Sequence, residues 1–560
     1  MEERIWHHFY DQGVPDSLDF ENVSLPEFLK QSALKYSDST ALIFNNYQLS
    51  YKQLNDQVDR FATALTNLGV TTNTPVAIQL PNLPQTIVAY YAVLSVGARV
   101  VMTNPLYVER EIKHQWNDAA CTVAIVTDYL FNSRIKHVRE ELPIKHYIIA
   151  SIPDCLKFPL NFLATIKLKR ANPPLIANVE RQDNLFFMKE LIKNTPPNPP
   201  KVRLELDTIA LLQYTGGTTG TSKGAMLTHG NLSWNVQQVR AWFSEITFGK
   251  EVILGCLPFF HVFGMTVAMN LAVSVGAAIV VTANPRDIPK MLKDISRHRV
   301  TLFPAVPAMF NAINRFPGIK NVDLRSVSSC FSGSAPLPLD VLETFEGLTG
   351  SKIIEGFGLT ETSPVTHVNP LNGRRKIGSV GIPLSDTDSR IVSLTDGATD
   401  VSPNVEGELL IKGPQIMKGY WNQPDATKQM IRNGWLFTGD IAKSDADGYV
   451  FIVGRKKDMV TASGYNIYPD EIDQILMGHP EVLEAATIGL PDERRGETIK
   501  SFVVPRDNSS VTVEQLLNYC KRELAAYKVP REIEFRKELP KSALLKVLRR
   551  ELRSEEIAKS

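Results

Sequence analysis

Apolar side chains fall at helical spacing over residues 51–68, where Leu54, Val58, Phe61, Ala62, Leu65 and Leu68 share one stripe. Ser50 and Gln53 make a capping box at its start, and Gly69 is a natural stop. Short apolar runs at 76–80 and 123–126 read as buried strands, separated by helical stretches. Helix and strand in alternation predict an α/β layer architecture. Two longer apolar stretches, 86–102 and 267–283, carry Arg99 in the first and Asn270, Ser274 and Gly276 in the second. Both fall short of the roughly 18–20 clean apolar residues of a membrane span, so burial in the core is expected.

The rhythm breaks over residues 154–203. Phe158, Phe162, Leu163 and Ile166 mix with Lys157, Lys167, Lys169 and Arg170, and a Pro-rich connection follows (NTPPNPPKVR). A basic, aromatic segment of this kind suits an anionic membrane surface. Ordinary packing as an insertion is its commoner outcome and is the expectation here. Dense short strands and helices return from 204 to 453, including an apolar strand at 210–212. Beyond Arg455 the pattern changes to that of a small α+β domain: helices at about 470–477 and 513–524, strands near 485–490, 501–504 and 533–535, and a final basic helix. The expected division is 1–453, a hinge at 454–458, and 459–560.

Composition narrows the function classes. The chain has 560 residues, with 43% hydrophobic and 22% charged. That balance suits a soluble globular protein. Lys plus Arg number 61 and Asp plus Glu 60, so the basic footprint of a nucleic-acid binder is missing. Five scattered cysteines without ligand spacing argue for buried thiols in a reducing cytosol and against a zinc site or a disulfide frame. The start, MEERIWHHFYDQ, is too polar for a secretory signal. The expected location is cytoplasmic, with contact at the inner face of the membrane left open by the basic insertion. Monomer and homodimer both remain compatible with the sequence.

Four segments carry chemistry. Residues 214–224, YTGGTTGTSKG, set Thr215, Gly216, Gly217, Thr218, Thr219 and Gly220 before one cation, Lys223. Glycines let backbone N–H groups crowd an anion, hydroxyls add donors, and lysine adds charge, which together suit a polyphosphate. It is not a Walker A loop, because Ser222 precedes the lysine. Following the strand at 210–212, the loop is expected at a sheet edge between strand and helix. Residues 355–362, EGFGLTET, place Phe357 between Gly356 and Gly358, so that an aromatic face can meet a flat base, and offer Glu361 as a hard oxygen ligand for Mg²⁺. In WLFTGD and the GRKKDMVTASGYNIYP that follows, Asp440 can accept hydrogen bonds from ribose hydroxyls, helped by Arg455. The tail LPKSALLKVLRRELR is strongly basic, with Lys546 expected to open its helix.

In this order and spacing the segments resemble the adenylate-forming superfamily of acyl-CoA synthetases, luciferases and adenylation domains, over nearly the whole chain. VILGCLPFFHVFG, SGSAPLP and GPQIMKGYWNQP look most like bacterial long-chain fatty acid–CoA ligases. The resemblance implies a large N-terminal part of several sheets and helices and a small, mobile α+β C-terminal domain. It implies ATP, Mg²⁺ and coenzyme A acting on a fatty acid through an acyl-adenylate. By resemblance, Thr215 to Lys223 hold the β and γ phosphates, and Thr215 and Glu361 stand at the metal. Thr360 touches the α-phosphate. Gly333, Ser334, Ala335, Glu355, Gly356, Phe357 and Gly358 line the adenine pocket, where most relatives have Tyr in place of Phe357. Asp440 and Arg455 take the ribose. Lys546 bridges the substrate carboxylate and the α-phosphate. Lys457 is the hinge, Ser463, Gly464 and Tyr465 meet coenzyme A after rotation, and His261 and Trp234 border the acyl pocket.

One position departs from the family pattern PKTxxGK. Here the segment is Pro540-Lys541-Ser542-Ala543-Leu544-Leu545-Lys546, and Leu545 stands where a glycine is usual. If that position takes a positive φ, leucine costs on the order of 1 kcal/mol or more. With the basic, aromatic insertion, this keeps open a catalytically weak acyl-binding protein of the same fold; a CoA ligase for a medium-chain or aryl acid is a separate alternative.

Overall fold

The computed structural model describes residues 4–215, 222–462, 465–492, 496–543 and 545–559. Two large sheets organise the first 450 residues. In the eight-stranded sheet the parallel strands Ile209–Thr215, Arg99–Met102, Pro75–Gln79, Val123–Thr127, His146–Ala150 and Leu185–Phe187 lie side by side. Lys223–Thr228 and Gly419–Tyr420 extend it antiparallel beyond Ile209–Thr215. The nine-stranded sheet runs from Ile382–Pro383 through Val365–Val368, Lys352–Gly358, Ser329–Ser332, Leu302–Ala305, Val252–Gly255 and Ala278–Val281 to the hairpin Thr40–Phe44 and Tyr47–Ser50. The stripe at 51–68 is realised as the helix Tyr51–Asn67, closed at its start by the expected Ser50–Gln53 capping box.

The two apolar stretches are core elements, as expected. All twelve residues of the helix Pro84–Ser95 are buried. Met265–Asn270 is equally enclosed and leads through the helix Leu271–Val275 into the strand Ala278–Val281. All five cysteines are free and buried. A third, antiparallel sheet is built on Asp388–Val392, Gly407–Lys412, Trp435–Ser444 and Val450–Arg455.

The last hundred residues carry a fourth sheet. Its strands are Tyr465–Ile467, Val460–Ala462, Gly496–Pro505, Val482–Asp492 and Glu532–Phe535, with helices Pro469–Met477, Val513–Glu523 and Arg549–Lys559. Two hydrophobic clusters here draw only on residues from Val460 to Leu552.

Three local expectations are corrected. The glycine–threonine segment joins two antiparallel strands, Ile209–Thr215 and Lys223–Thr228, and only then does the helix His229–Trp242 begin. The described strands on either side of the segment are thus neighbours in the sheet, and a strand rather than a helix follows it. Lys546 does not open a helix: Arg549–Lys559 starts three residues later, and Lys541 pairs with Val547 in an antiparallel bridge. The insertion is packed only in part: Cys155, Leu185 and Met188 are buried, whereas the helix Leu160–Lys169 has no buried residue.

Candidate active site

The chemistry-bearing segments converge where the two large sheets and the C-terminal unit meet. The root of the glycine–threonine hairpin is held firmly. Thr215 pairs with Lys223, the Tyr214 hydroxyl donates to Asp118 at 2.5 Å, and the Trp421 amide donates to the Gly224 carbonyl at 2.7 Å. At Gly224 a Cβ would lie 3.1 Å from the Tyr214 ring, which would have to give by a few tenths of an ångström to admit it. Gly216, Gly217, Thr218, Thr219 and Gly220 lie outside the described residues, as do Ser463 and Gly464.

Sequence reading passed over Tyr420, which ties two of its candidates together. Its hydroxyl donates to Glu361 Oε1 at 2.6 Å, while Lys223 Nζ stands 5.3 Å from its ring centroid. Burial and the Glu361 charge push the Tyr420 pKa far up, so the phenol stays protonated and keeps donating. Glu361 sits in the short turn Thr360–Thr362 and is buried. Among the described residues no group of three or more His, Cys, Asp or Glu side chains could hold a metal. The Glu361 carboxylate is a hard oxygen donor of the kind that takes one position on a divalent cation otherwise held by water and phosphate.

The segment Lys352–Gly358 cannot carry larger residues at its glycines. A Cβ on Gly356 would meet the Phe331 ring at 2.4 Å, and one on Gly358 would meet the Pro364 carbonyl oxygen at 1.8 Å. Phe357 sits edge-on to His367, with centroids 6.1 Å apart. Alongside, after the neighbouring strand Ser329–Ser332, lies the turn Gly333, Ser334 and Ala335, with Ser334 at φ +72° and exposed. Glu355 plays a positioning part: its buried carboxylate accepts from the Leu337 amide at 3.0 Å and so holds that turn. Burial raises its pKa to about 7.

Asp440 and Arg455 face each other across a strand pair, with Arg455 Nε 2.5 Å from Asp440 Oδ1. Asp440 is 1% exposed, and its Oδ2 is buried without a partner. An orphaned buried carboxylate oxygen is costly, and a hydroxyl-bearing ligand would satisfy it. Burial raises the Asp440 pKa to about 6, against the pull of Arg455, Lys546 and Lys457. Lys457 itself is lowered, first by burial and then by Arg455.

Lys546 reaches this cleft from the C-terminal unit. Its side chain is exposed overall, with neighbouring protein taking part of the water from its ammonium. That desolvation lowers its pKa, Arg455 adds to the effect, and Asp440 and Asp470 oppose it. Three hydrogen bonds close its hairpin: Leu545 N to Ser542 O at 2.9 Å, Ser542 N to Lys546 O at 2.8 Å, and Leu548 N to Pro540 O at 2.8 Å. Arg549 anchors the base by donating to Asp470 and, at 2.5 Å, to Asp473. Leu545 takes φ +59° and packs on the main hydrophobic cluster.

The positive charge of Lys546 also reaches His261, whose pKa is lowered to about 4, mostly by burial. The imidazole is neutral, and its Nδ1 accepts from the Phe263 amide at 3.3 Å. A narrow apolar cavity lies nearby, lined by Phe243, Val267, Leu271, Leu302, Phe303 and Phe331. Phe331 is the ring against which Gly356 packs, so the cavity abuts the Lys352–Gly358 strand. Trp234 is not among its lining residues; it packs on Gly230 and lies 6.1 Å from the Phe20 ring.

Comparison with known proteins agrees with this geometry. Residues 29–421 match the AMP-binding enzyme family, and 471–546 match the AMP-binding enzyme C-terminal domain. The long-chain-fatty-acid–CoA ligase of Bacillus subtilis (strain 168) is 40% identical over 558 residues, spanning 99% of this chain and 98% of the relative. The Escherichia coli O157:H7 enzyme of the same name is 37% identical over 556 residues, with the same coverage. Among solved structures, an anthranilate CoA ligase in complex with anthranoyl-AMP superposes with a TM-score of 0.85 at 25% identity, covering 96% of this chain and 98% of that one. MatB from Rhodopseudomonas palustris, 26% identical in both states, scores 0.82 with ATP bound, covering 95% and 99%, and 0.72 as the apo protein, covering 96% and 99%. From its glycine–threonine hairpin to the lysine of its C-terminal unit, this chain belongs to the AMP-binding enzyme family.

Proposed function

We propose that the protein is a long-chain fatty acid–CoA ligase. In the first half-reaction a fatty-acid carboxylate oxygen attacks the α-phosphorus of ATP, and pyrophosphate leaves. In the second, the thiolate of coenzyme A attacks the acyl carbon of the acyl-adenylate, and AMP leaves. Neither step needs an enzyme nucleophile. The demand is to gather three anionic groups and align them.

The chain's residues divide that work. The hairpin 215–223 cradles the β and γ phosphates, with Lys223 held over the Tyr420 ring. Thr360 lies beside the α-phosphate. Asp440 accepts from the ribose through the oxygen that otherwise lacks a partner, while Arg455 fixes the other oxygen. Phe357 stacks on adenine between glycines that leave room for it. Glu361, oriented by Tyr420, is the protein ligand for Mg²⁺, with Thr215 beside it. The metal's part is to neutralise phosphate charge. Lys546 places its ammonium between the carboxylate and the α-phosphate. The acyl tail passes the Phe331 ring, where the closed apolar space is too small for a chain as it stands and has to open to admit one, and His261 is a neutral wall residue that caps the turn Val262–Gly264. For the second half-reaction the unit beyond residue 458 rotates about Lys457, withdrawing Lys546 and bringing Ser463, Gly464 and Tyr465 to coenzyme A. No helix among the described residues is long and apolar enough to cross a membrane.

The observation that carries this reading is the full-length similarity to long-chain-fatty-acid–CoA ligases, joined to a buried Asp440 that Arg455 holds by one oxygen while the other lacks a partner. The test is acyl-CoA formation across acids from acetate to oleate, with aryl acids included. A maximum at long chains supports the reading. A maximum at aryl or short acids, or ATP binding with no pyrophosphate release for any acid, overturns it.

A further inference from the structure

The surface of the insertion is built backwards for a water-facing helix. Of sixteen exposed large hydrophobic side chains among the described residues, five fall within nine positions: Phe158, Leu160, Phe162, Leu163 and Ile166. Phe158 is 81% exposed and Phe162 62%. In the helix Leu160–Lys169, the half-buried inner positions are Asn161, Ala164 and Leu168, at the i, i+3 and i+7 spacing of one face. The outward face is the one that carries Phe162, Leu163 and Ile166. Helical geometry puts Lys167 on one side of that apolar stripe and Lys169 on the other, with Arg170 at its end. Between Asp154 and Glu180 the chain has four cations and no carboxylate side chain.

The base of this element is tethered. Asn46, in the turn of the Thr40–Phe44 and Tyr47–Ser50 hairpin, donates to the Lys157 carbonyl at 3.0 Å and accepts from its amide at 3.1 Å. Lys189 pairs with Asp154 at 3.2 Å. The helix is thus held to the body from below while its largest apolar groups stand outward.

We propose that residues 157–170 are a docking surface for an anionic lipid bilayer. The aromatic and aliphatic side chains enter the boundary between headgroups and acyl chains, and the flanking lysines extend their stems to reach the phosphates. Charge complementarity chooses this occupant: a purely apolar protein groove has no use for four uncompensated cations around its plug, whereas an acidic leaflet does. The contact is peripheral and places the protein at the phase where long-chain acids are concentrated. Only that purpose rests on the fatty-acid reading.

The test is sedimentation of the full-length protein with vesicles of phosphatidylcholine alone or mixed with phosphatidylglycerol, without ATP, coenzyme A or fatty acid. Failure to bind therefore leaves the catalytic reading untouched. The expected result is binding to the mixed vesicles that weakens with salt. Phe162→Ser with Ile166→Ser should lower the partition coefficient about tenfold. Lys167→Glu with Lys169→Glu should lower it at least about tenfold on anionic vesicles and little on neutral ones. Pyrophosphate release with soluble octanoate should match wild type in both variants, showing that the fold survives. Equal sedimentation with neutral and anionic vesicles, or variants that bind as wild type does, would overturn the proposal. So would substitutions that turn a dimer into a monomer on gel filtration while vesicle binding is unchanged.

Discussion

Leu545 combines a strained backbone with a useful side chain, and the two can be separated. Its φ of +59° lies in the left-handed region, at the last turn residue of a tight hairpin where glycine is usual. For an L-residue this costs roughly 1–2 kcal/mol. The strain sits inside the hairpin, which is closed by its own hydrogen bonds, so it is present whichever way the C-terminal unit is turned. The side chain is different. It is half-buried against the main cluster, whose buried members all come from residues 14–449. That contact exists only while Lys546 is docked. Full burial of a leucine is worth about 1.5–3 kcal/mol, so half-burial contributes about 1 kcal/mol to docking, close to a fivefold bias in the orientational equilibrium.

Leu545→Ala keeps the strain and removes the contact; Leu545→Gly removes both. Both variants should therefore slow ATP–pyrophosphate exchange by up to about fivefold while leaving thioester formation from supplied acyl-adenylate equal or faster. In denaturant, the glycine variant should be more stable than the alanine variant by about 1 kcal/mol, the reverse of the usual order of these residues. If alanine proves the more stable, Leu545 is not strained in solution. If the ratio of the two half-reactions stays at its wild-type value in both variants, the contact does not bias docking, and the leucine is a neutral replacement.

Other expectations follow from single contacts. Tyr420→Phe keeps the ring under Lys223 but removes the hydroxyl from Glu361, a hydrogen bond to a charged group worth about 1.5–3 kcal/mol. It should raise KM for Mg·ATP at least about tenfold in steady-state assays and spare the thioester step; an unchanged KM would remove Tyr420 from the site. Asp440 accepts most strongly from a ribose when it is ionised, and its pKa is raised to about 6. ATP affinity measured by calorimetry should therefore fall as pH drops through about 6, and Asp440→Asn should bind weakly with a flat profile; a wild-type affinity independent of pH from 5 to 8 would contradict the assignment. For stability the same shift has the opposite sense. A carboxylate whose folded pKa is raised stabilises most below its unfolded value and loses that contribution as pH rises through about 6. Lys546→Ala should abolish pyrophosphate exchange while thioester formation from supplied acyl-adenylate continues; equal loss of both would deny it a role confined to adenylation.

What the sequence revealed and what it hid divide along a physical line. Periodicity found the helix Tyr51–Asn67, the buried stretches and the elements of the C-terminal unit, because each is set by local burial. Tyr420 was hidden in GPQIMKGYWNQP, because its meaning depends on a contact 59 residues away, with Glu361. The run of leucines, lysine and arginines from 544 to 550 has helical composition, yet the hydrogen bonds of Ser542 and the pull of Asp470 and Asp473 on Arg549 hold back the helix until Arg549. Tertiary partners override propensity there. The outward apolar face of Leu160–Lys169 was hidden for the opposite reason. Its inner face is also mildly apolar, so amphipathic spacing gives no sense of direction, and only the placement of Asn161, Ala164 and Leu168 against the body shows which side was left for another phase. Leu545 alone announced itself in advance, through a residue type that conflicts with the backbone its position requires. A conflict between residue and conformation is readable along the chain; a contact that resolves it is readable only in space.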